Sequence, residues 1–110
     1  MSKKIITIIT SVLKYRVIVT KESVDHALKH FALPEDIFLE LLERILKDPT
    51  EVFEETHSEE KSYHLFYKIN QSKYILAIVK KATDEYFFTS MYATGSKIKS
   101  KHKHLKRIKI

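Results

Sequence analysis

Ser62-Tyr-His-Leu-Phe-Tyr-Lys-Ile-Asn-Gln-Ser-Lys-Tyr-Ile-Leu-Ala-Ile-Val79 is the part of this chain that sets its architecture. Tyr63, Leu65, Tyr67 and Ile69 alternate with Ser62, His64, Lys68 and Asn70, the period-two pattern of a strand with one buried face. Asn70-Gln-Ser72 then reads as a hairpin loop. Residues 74–79 are apolar on both faces, which places them centrally in a sheet. Further on, Ala82-Thr83-Asp84 predicts another turn and 85–93 a last clear strand. Residues 51–57 predict a short strand before the hairpin. The result is a mainly antiparallel sheet of about four strands.

Toward the N-terminus the period changes. Val24, Ala27, Leu28 and Phe31 recur at i, i+3, i+4 and i+7, the stripe of a helix packed on a core. Thr20 is placed to cap it near Lys21, with Glu22 in its first turn. Pro34 suits the first position of a second helix, with Glu35 and Asp36 after it. Ile37, Phe38, Leu41, Leu42, Ile45 and Leu46 form its buried face, and Lys47 followed by Pro49 ends it. Residues 5–10 and 12–20, rich in Ile, Val and Thr, favour extended structure. The expected fold is therefore α+β: N-terminal strands and two helices packed on the four-stranded sheet.

Charge is unevenly spread. The last fourteen residues hold seven Lys or Arg and no acid, so they account for the whole net charge of +6. This divides the chain into a single α+β domain, 1–96, and a basic C-terminal segment, 97–110. Such a run suits a polyanion, nucleic acid above all, through Lys97, Lys99, Lys101, Lys103, Lys106 and Arg107. A solvated tail that aids solubility is the simpler alternative. If extended, the segment aligns cations at 97, 99, 101, 103, 107 and 109 along one edge. No Cys is present, which excludes a disulfide framework and a Cys-based zinc site. The apolar N-terminus is interrupted by Thr7, Thr10 and Ser11 and lacks a small-residue cleavage site, so a cytoplasmic protein without a membrane span is expected.

Two clusters carry candidate chemistry. On the first helix Ser23, His26 and His30 lie together, turned roughly 130° from the apolar stripe. Incidental surface histidines give the same pattern. A zinc pair lacks a third ligand, so no metal or other cofactor is expected. Acid–base work remains, because an imidazole can move protons near neutral pH. On the last strand, alternation puts Phe88, Ser90 and Tyr92 on one face and Phe87, Thr89 and Met91 on the other. The hydroxyls can bind a phosphate and Tyr92 can stack on a base. Lys68 and His64 face the same side from the neighbouring strand.

The order of these parts resembles the metal-independent ribonuclease superfamily that groups barnase, EndoU, the colicin D nuclease and RelE-type toxins. It looks most like the phage-associated branch. The resemblance covers about residues 17–94. It rests on Val17–Phe31 with His26-Ala27, on the Lys-Asp-Pro49 that ends the second helix, on Tyr74–Val79, and on Phe87–Tyr92. It implies that His26 leads the acid–base chemistry with His30 in support. Ser90-Met-Tyr92 keeps the family's Thr-x-Tyr spacing with Ser in place of Thr. Thr89 keeps the residue type and breaks the spacing. The resemblance also implies a cation to stabilise the phosphorane, a role for which Lys68 is a candidate. The implied reaction is attack of an RNA 2′-OH on its own phosphate, and the implied catalytic set is His26, His30, Lys68, Thr89, Ser90 and Tyr92. The implied partners are tRNA or mRNA and an acidic antitoxin or immunity protein.

Two other functions fit the residues. A noncatalytic nucleic-acid-binding module uses the basic segment and the tyrosines without His26. An interaction protein uses the ten acids between Glu35 and Glu60 against a basic partner.

Overall fold

A computed structural model describes residues 4–57, 60–95 and 105–110. In chain order these form β1 (Ile5–Thr10), β2 (Arg16–Thr20), α1 (Lys21–Leu28), α2 (Glu35–Lys47), β3 (Glu51–His57), β4 (Glu60–Lys68), β5 (Lys73–Ala82), β6 (Glu85–Gly95) and β7 (Lys106–Ile108). The strands make one seven-stranded sheet in the order β1-β2-β6-β5-β4-β3-β7. All neighbours are antiparallel except β2 and β6, which pair in parallel through Val17–Tyr86 and Ile18–Phe87.

The fold remains α+β, but the expected sheet of about four strands is corrected to a mixed sheet of seven. The meander β3–β6 is the part that alternation reveals. The N-terminal hairpin joins it because α1 and α2 carry the chain from β2 on one side of the meander to β3 on the other. Across that connection β2 lies on the free edge of β6, in parallel. β7 is three residues long inside a lysine-rich run, too short to leave a period. Its pairing with β3 (Val52–Ile108, Phe53–Arg107, Glu54–Lys106) brings the end of the basic segment into the domain.

The main core lies between the helices and one sheet face. Val24 and Ala27 of α1 and Phe38, Leu42, Ile45 and Leu46 of α2 pack against Val17, Val19, Leu65, Ala77, Val79, Phe88 and Met91. Ile37 is 42% exposed, so it does not belong to the buried face of α2 assigned by periodicity. Pro34 is the N-cap rather than the first helical residue. The opposite, outer face also holds a small core of Phe66, Tyr74 and Leu76, with Phe53, Ile78 and Tyr92 around it. This is why Tyr63, His64, Leu65 and Phe66 are all buried and the β4 sequence only half alternates.

Candidate active site on β6 and the end of α1

α1 starts where it does because Thr20 caps it. The Thr20 Oγ1 accepts the Ser23 N–H at 3.3 Å and donates to the Ser23 hydroxyl at 3.1 Å. Val24 and Ala27 turn inward, which leaves His26 on the exposed side. After Leu28 the helix tightens. The N–H groups of Lys29, His30 and Phe31 donate to the carbonyls of His26, Ala27 and Leu28, three residues back. His30 and Phe31 therefore stand beyond the helix proper, on this tight turn.

The tight turn brings His30 to the last long strand. β2 pairs with β6 only near its start, and α1 also packs against that strand. The His30 and Tyr92 ring centroids are 6.4 Å apart, and those of His26 and His30 are 6.3 Å apart at 80°. Both imidazoles are exposed and Tyr92 is half-buried. Desolvation by burial raises the Tyr92 pKa, so the phenol keeps its proton at neutral pH.

A bulge decides which β6 side chains join Tyr92. Ser90 lies opposite Ile78, and Phe88 lies opposite Val79, so Thr89 is the extra residue. Its hydroxyl donates to the Ile78 carbonyl at 3.0 Å. The expected grouping of Phe88 with Ser90 and Tyr92 is thereby corrected. Phe88 shares the main core with Met91, while Tyr92 borders the outer core. Thr89 is the bulge residue and belongs to neither alternating set. Ser90 and Tyr92 do remain on one face. The bulge has no signature in Phe87-Phe-Thr-Ser-Met-Tyr92 beyond a hydroxyl residue able to satisfy a displaced carbonyl.

Lys68 lies on the same outer face, in the row Lys68–Tyr74–Thr94. Two strand spacings separate it from β6, about 10 Å between backbones. It is thus near the histidine–tyrosine group without belonging to its ring contacts. His64, two rows further along β4, is buried and sits 3.3 Å from a Glu55 carboxylate oxygen. Tyr74, a residue of the central apolar strand, lies between Lys68 and Thr94 in that row and packs edge-on against Phe66.

Of the cations assigned to nucleic acid, Lys97, Lys99, Lys101 and Lys103 lie outside the described residues. Lys106 stands opposite Glu54, and Arg107 opposite Phe53 on the outer face. A groove of about 520 Å³ beside β7 is lined by Thr50, Glu51, Arg107, Ile108, Lys109 and Ile110. A second, of about 420 Å³, lies at the β1–β2 turn around Tyr15 and Tyr86. Neither includes His26, His30 or Tyr92. Among the described residues no helix is long and apolar enough to cross a membrane. Comparison with protein-family models, with curated proteins and with solved structures returned no match.

Proposed function

We propose that the protein is a metal-independent endoribonuclease of the barnase, EndoU, colicin D and RelE type, acting on RNA in the cytoplasm. The observation that carries this reading is the row His26–His30–Tyr92, with ring separations of 6.3 and 6.4 Å. Transesterification needs a base and an acid on opposite sides of one phosphorus, which two imidazoles spaced in this way can flank. One neutral imidazole takes the 2′-OH proton as O2′ bonds to phosphorus. The P–O5′ bond breaks and the other, protonated imidazole gives its proton to O5′. The products are a 2′,3′-cyclic phosphate and a 5′-OH. Tyr92 donates a hydrogen bond to a non-bridging oxygen, with Ser90 beside it. Lys68 is far enough away to hold a neighbouring phosphate. Thr89 shapes the strand and takes no part in the chemistry.

The test is incubation of the full chain with total tRNA and with mRNA in EDTA, followed by analysis of the ends. Cleavage leaving cyclic phosphates, lost in His30→Ala and His26→Ala with RNA binding retained, is the expected result. Cleavage that needs a divalent ion, or that survives both substitutions, removes the histidines from the mechanism. A second reading, a noncatalytic RNA-binding module, is favoured by Arg107 on the outer face of the sheet. It predicts salt-sensitive RNA binding with intact RNA recovered.

A further inference from the structure

The second half of β6 is a sheet edge on one side. β2 pairs with β6 only through Val17–Tyr86 and Ile18–Phe87, whereas β5 follows β6 as far as Gly95. At Thr20 β2 gives way to α1, so the later residues of β6 have a strand neighbour on the β5 side alone among the described residues.

The β4–β5 hairpin fixes which amides that edge carries. The Ile69 N–H donates to the Lys73 carbonyl at 3.0 Å, and the Lys68 N–H turns the other way, to the Thr50 hydroxyl at 3.0 Å. Backbone direction alternates along an antiparallel ladder. Lys73, Ile75 and Ala77 thus face β4, while Tyr74, Leu76 and Ile78 face β6, and their partners Thr94, Tyr92 and Ser90 face back. Met91, Ala93 and Gly95 are left with N–H and C=O groups pointing out of the ladder, toward the side that β2 has vacated. Met91 is buried, and Ala93 and Gly95 are exposed. No described residue hydrogen-bonds the Ala93 amide, and its own side chain is only a methyl group.

This edge opens at the imidazoles. Val24 and Ala27 seat α1 in the main core on one face of the sheet, and Tyr92 borders the core on the other. The His30 and Tyr92 rings, 6.4 Å apart, therefore meet across the edge next to Ala93. No acid occurs from His26 through Pro34 or from Tyr86 through Gly95, so neither segment supplies a carboxylate to accept from these groups. The Ala93 carbonyl shares the edge. A ligand seated on it must bring an acceptor and a donor together, as the phosphate and 2′-hydroxyl of a ribonucleotide do. Two exposed outward positions beside a helix turn are too few for an added protein strand, which usually runs to about five or six residues.

We infer that the Ala93 N–H is a further substrate contact of the ribonuclease site, a backbone donor to a non-bridging oxygen of the scissile phosphate. The inference rests on the ribonuclease reading and adds to it a donor that belongs to the main chain.

The test uses the full chain and a short RNA of 2′-fluoro nucleotides, which lacks the attacking hydroxyl and stays uncut. At saturation this probe should slow hydrogen exchange of the Ala93 amide by about tenfold or more. The Tyr92 and Thr94 amides, already bonded to β5, should not change. Ala93→Pro removes the outward N–H without breaking a ladder bond. Its cleavage of a defined RNA in EDTA should fall by about 10²–10³-fold, mostly in kcat, the usual cost of losing one such donor. Ala93→Gly keeps the amide and should cut at nearly the wild-type rate. Unchanged Ala93 exchange at saturating probe, or a folded Ala93→Pro that cuts at the wild-type rate, overturns the inference and leaves the histidine chemistry standing. A wild-type chain that protects Ala93 with the probe and cuts no RNA overturns the ribonuclease reading and keeps Ala93 as a phosphate donor. Protection that rises with protein concentration alone assigns the edge to a second copy and overturns the inference. Should Ala93→Pro fail to fold, the exchange measurement on the wild-type chain decides.

Discussion

The imidazole of His30 and the phenol of Tyr92 face each other at 6.4 Å, with ring planes 58° apart, although one ends a helix turn and the other belongs to a late strand. The contact needs two local irregularities at once. The three-residue bonds after Leu28 place His30, and the bulge at Thr89 keeps Tyr92 on the outer face.

His30→Ala is expected to lower RNA cleavage in EDTA by about 10²–10⁴-fold, the usual worth of a positioned acid or base. Tyr92→Phe keeps the ring and deletes one donor to a charged oxygen, so a loss of about 10–100-fold is expected. Single-turnover rates on a defined RNA check both. A Tyr92→Phe loss as large as that of His30→Ala would make the phenol a proton-transfer group instead of a donor.

Thr89→Val is nearly isosteric and removes the bond to the Ile78 carbonyl. Leaving that half-buried carbonyl unpaired should cost about 1–3 kcal/mol, read from urea unfolding. Because the bulge sets the register of Ser90 and Tyr92, cleavage should fall too, with unchanged sensitivity to pH. An unaltered urea midpoint would show that the bulge does not depend on this hydroxyl.

Tyr15, Tyr63 and Tyr86 meet at the far end of the sheet. Tyr15 and Tyr86 stack at 4.1 Å, and Tyr63 tilts against both. Desolvation first, then hydrogen bonding to Tyr15 and the negative charge of Glu54, push the Tyr63 and Tyr86 pKa values up. A phenol whose folded pKa is raised binds its proton more tightly folded than unfolded. Its contribution to stability is whole below the ordinary tyrosine value of about 10 and is lost as pH climbs above it. Melting temperatures should therefore fall steeply above about pH 10. Tyr63→Phe should flatten that fall, and an unchanged alkaline slope would count against the buried phenol as its cause.

Much of this architecture can be read from the residues, and the gaps have physical causes. Thr20, the α1 stripe and the Asn70 hairpin are local signals. Asn70 Oδ1 accepts the N–H groups of Ser72 and Lys73, as a loop-closing asparagine should. The parallel β2–β6 pairing is not local, because any free edge of the meander satisfies an apolar strand equally well. The pairing of His30 with Tyr92 inherits that difficulty. Periodicity turned His26 and His30 outward together, but only the closing turn of α1 puts His30, rather than His26, against Tyr92.

The basic segment requires a gentler probe than truncation, because its end is structural. Ile108 packs against the main core opposite fully buried Val52, and β7 covers the edge of β3. Deleting 97–110 would uncover Val52 and that strand edge together, so weakened RNA binding could not be separated from a weakened fold. Replacing Lys97, Lys99, Lys101 and Lys103 with Gln removes four charges and leaves Lys106–Ile108 in place. Each charge that meets a phosphate contributes about 0.9 to the slope of log K against log salt on a duplex and about 0.7 on a single strand. If all four engage single-stranded RNA, the slope should become shallower by about 3, with the urea midpoint unchanged. Arg107→Gln alone should lower it by about one further phosphate. A slope that does not move under either change would take the segment out of RNA recognition and leave the polyanion to the histidine end of the sheet.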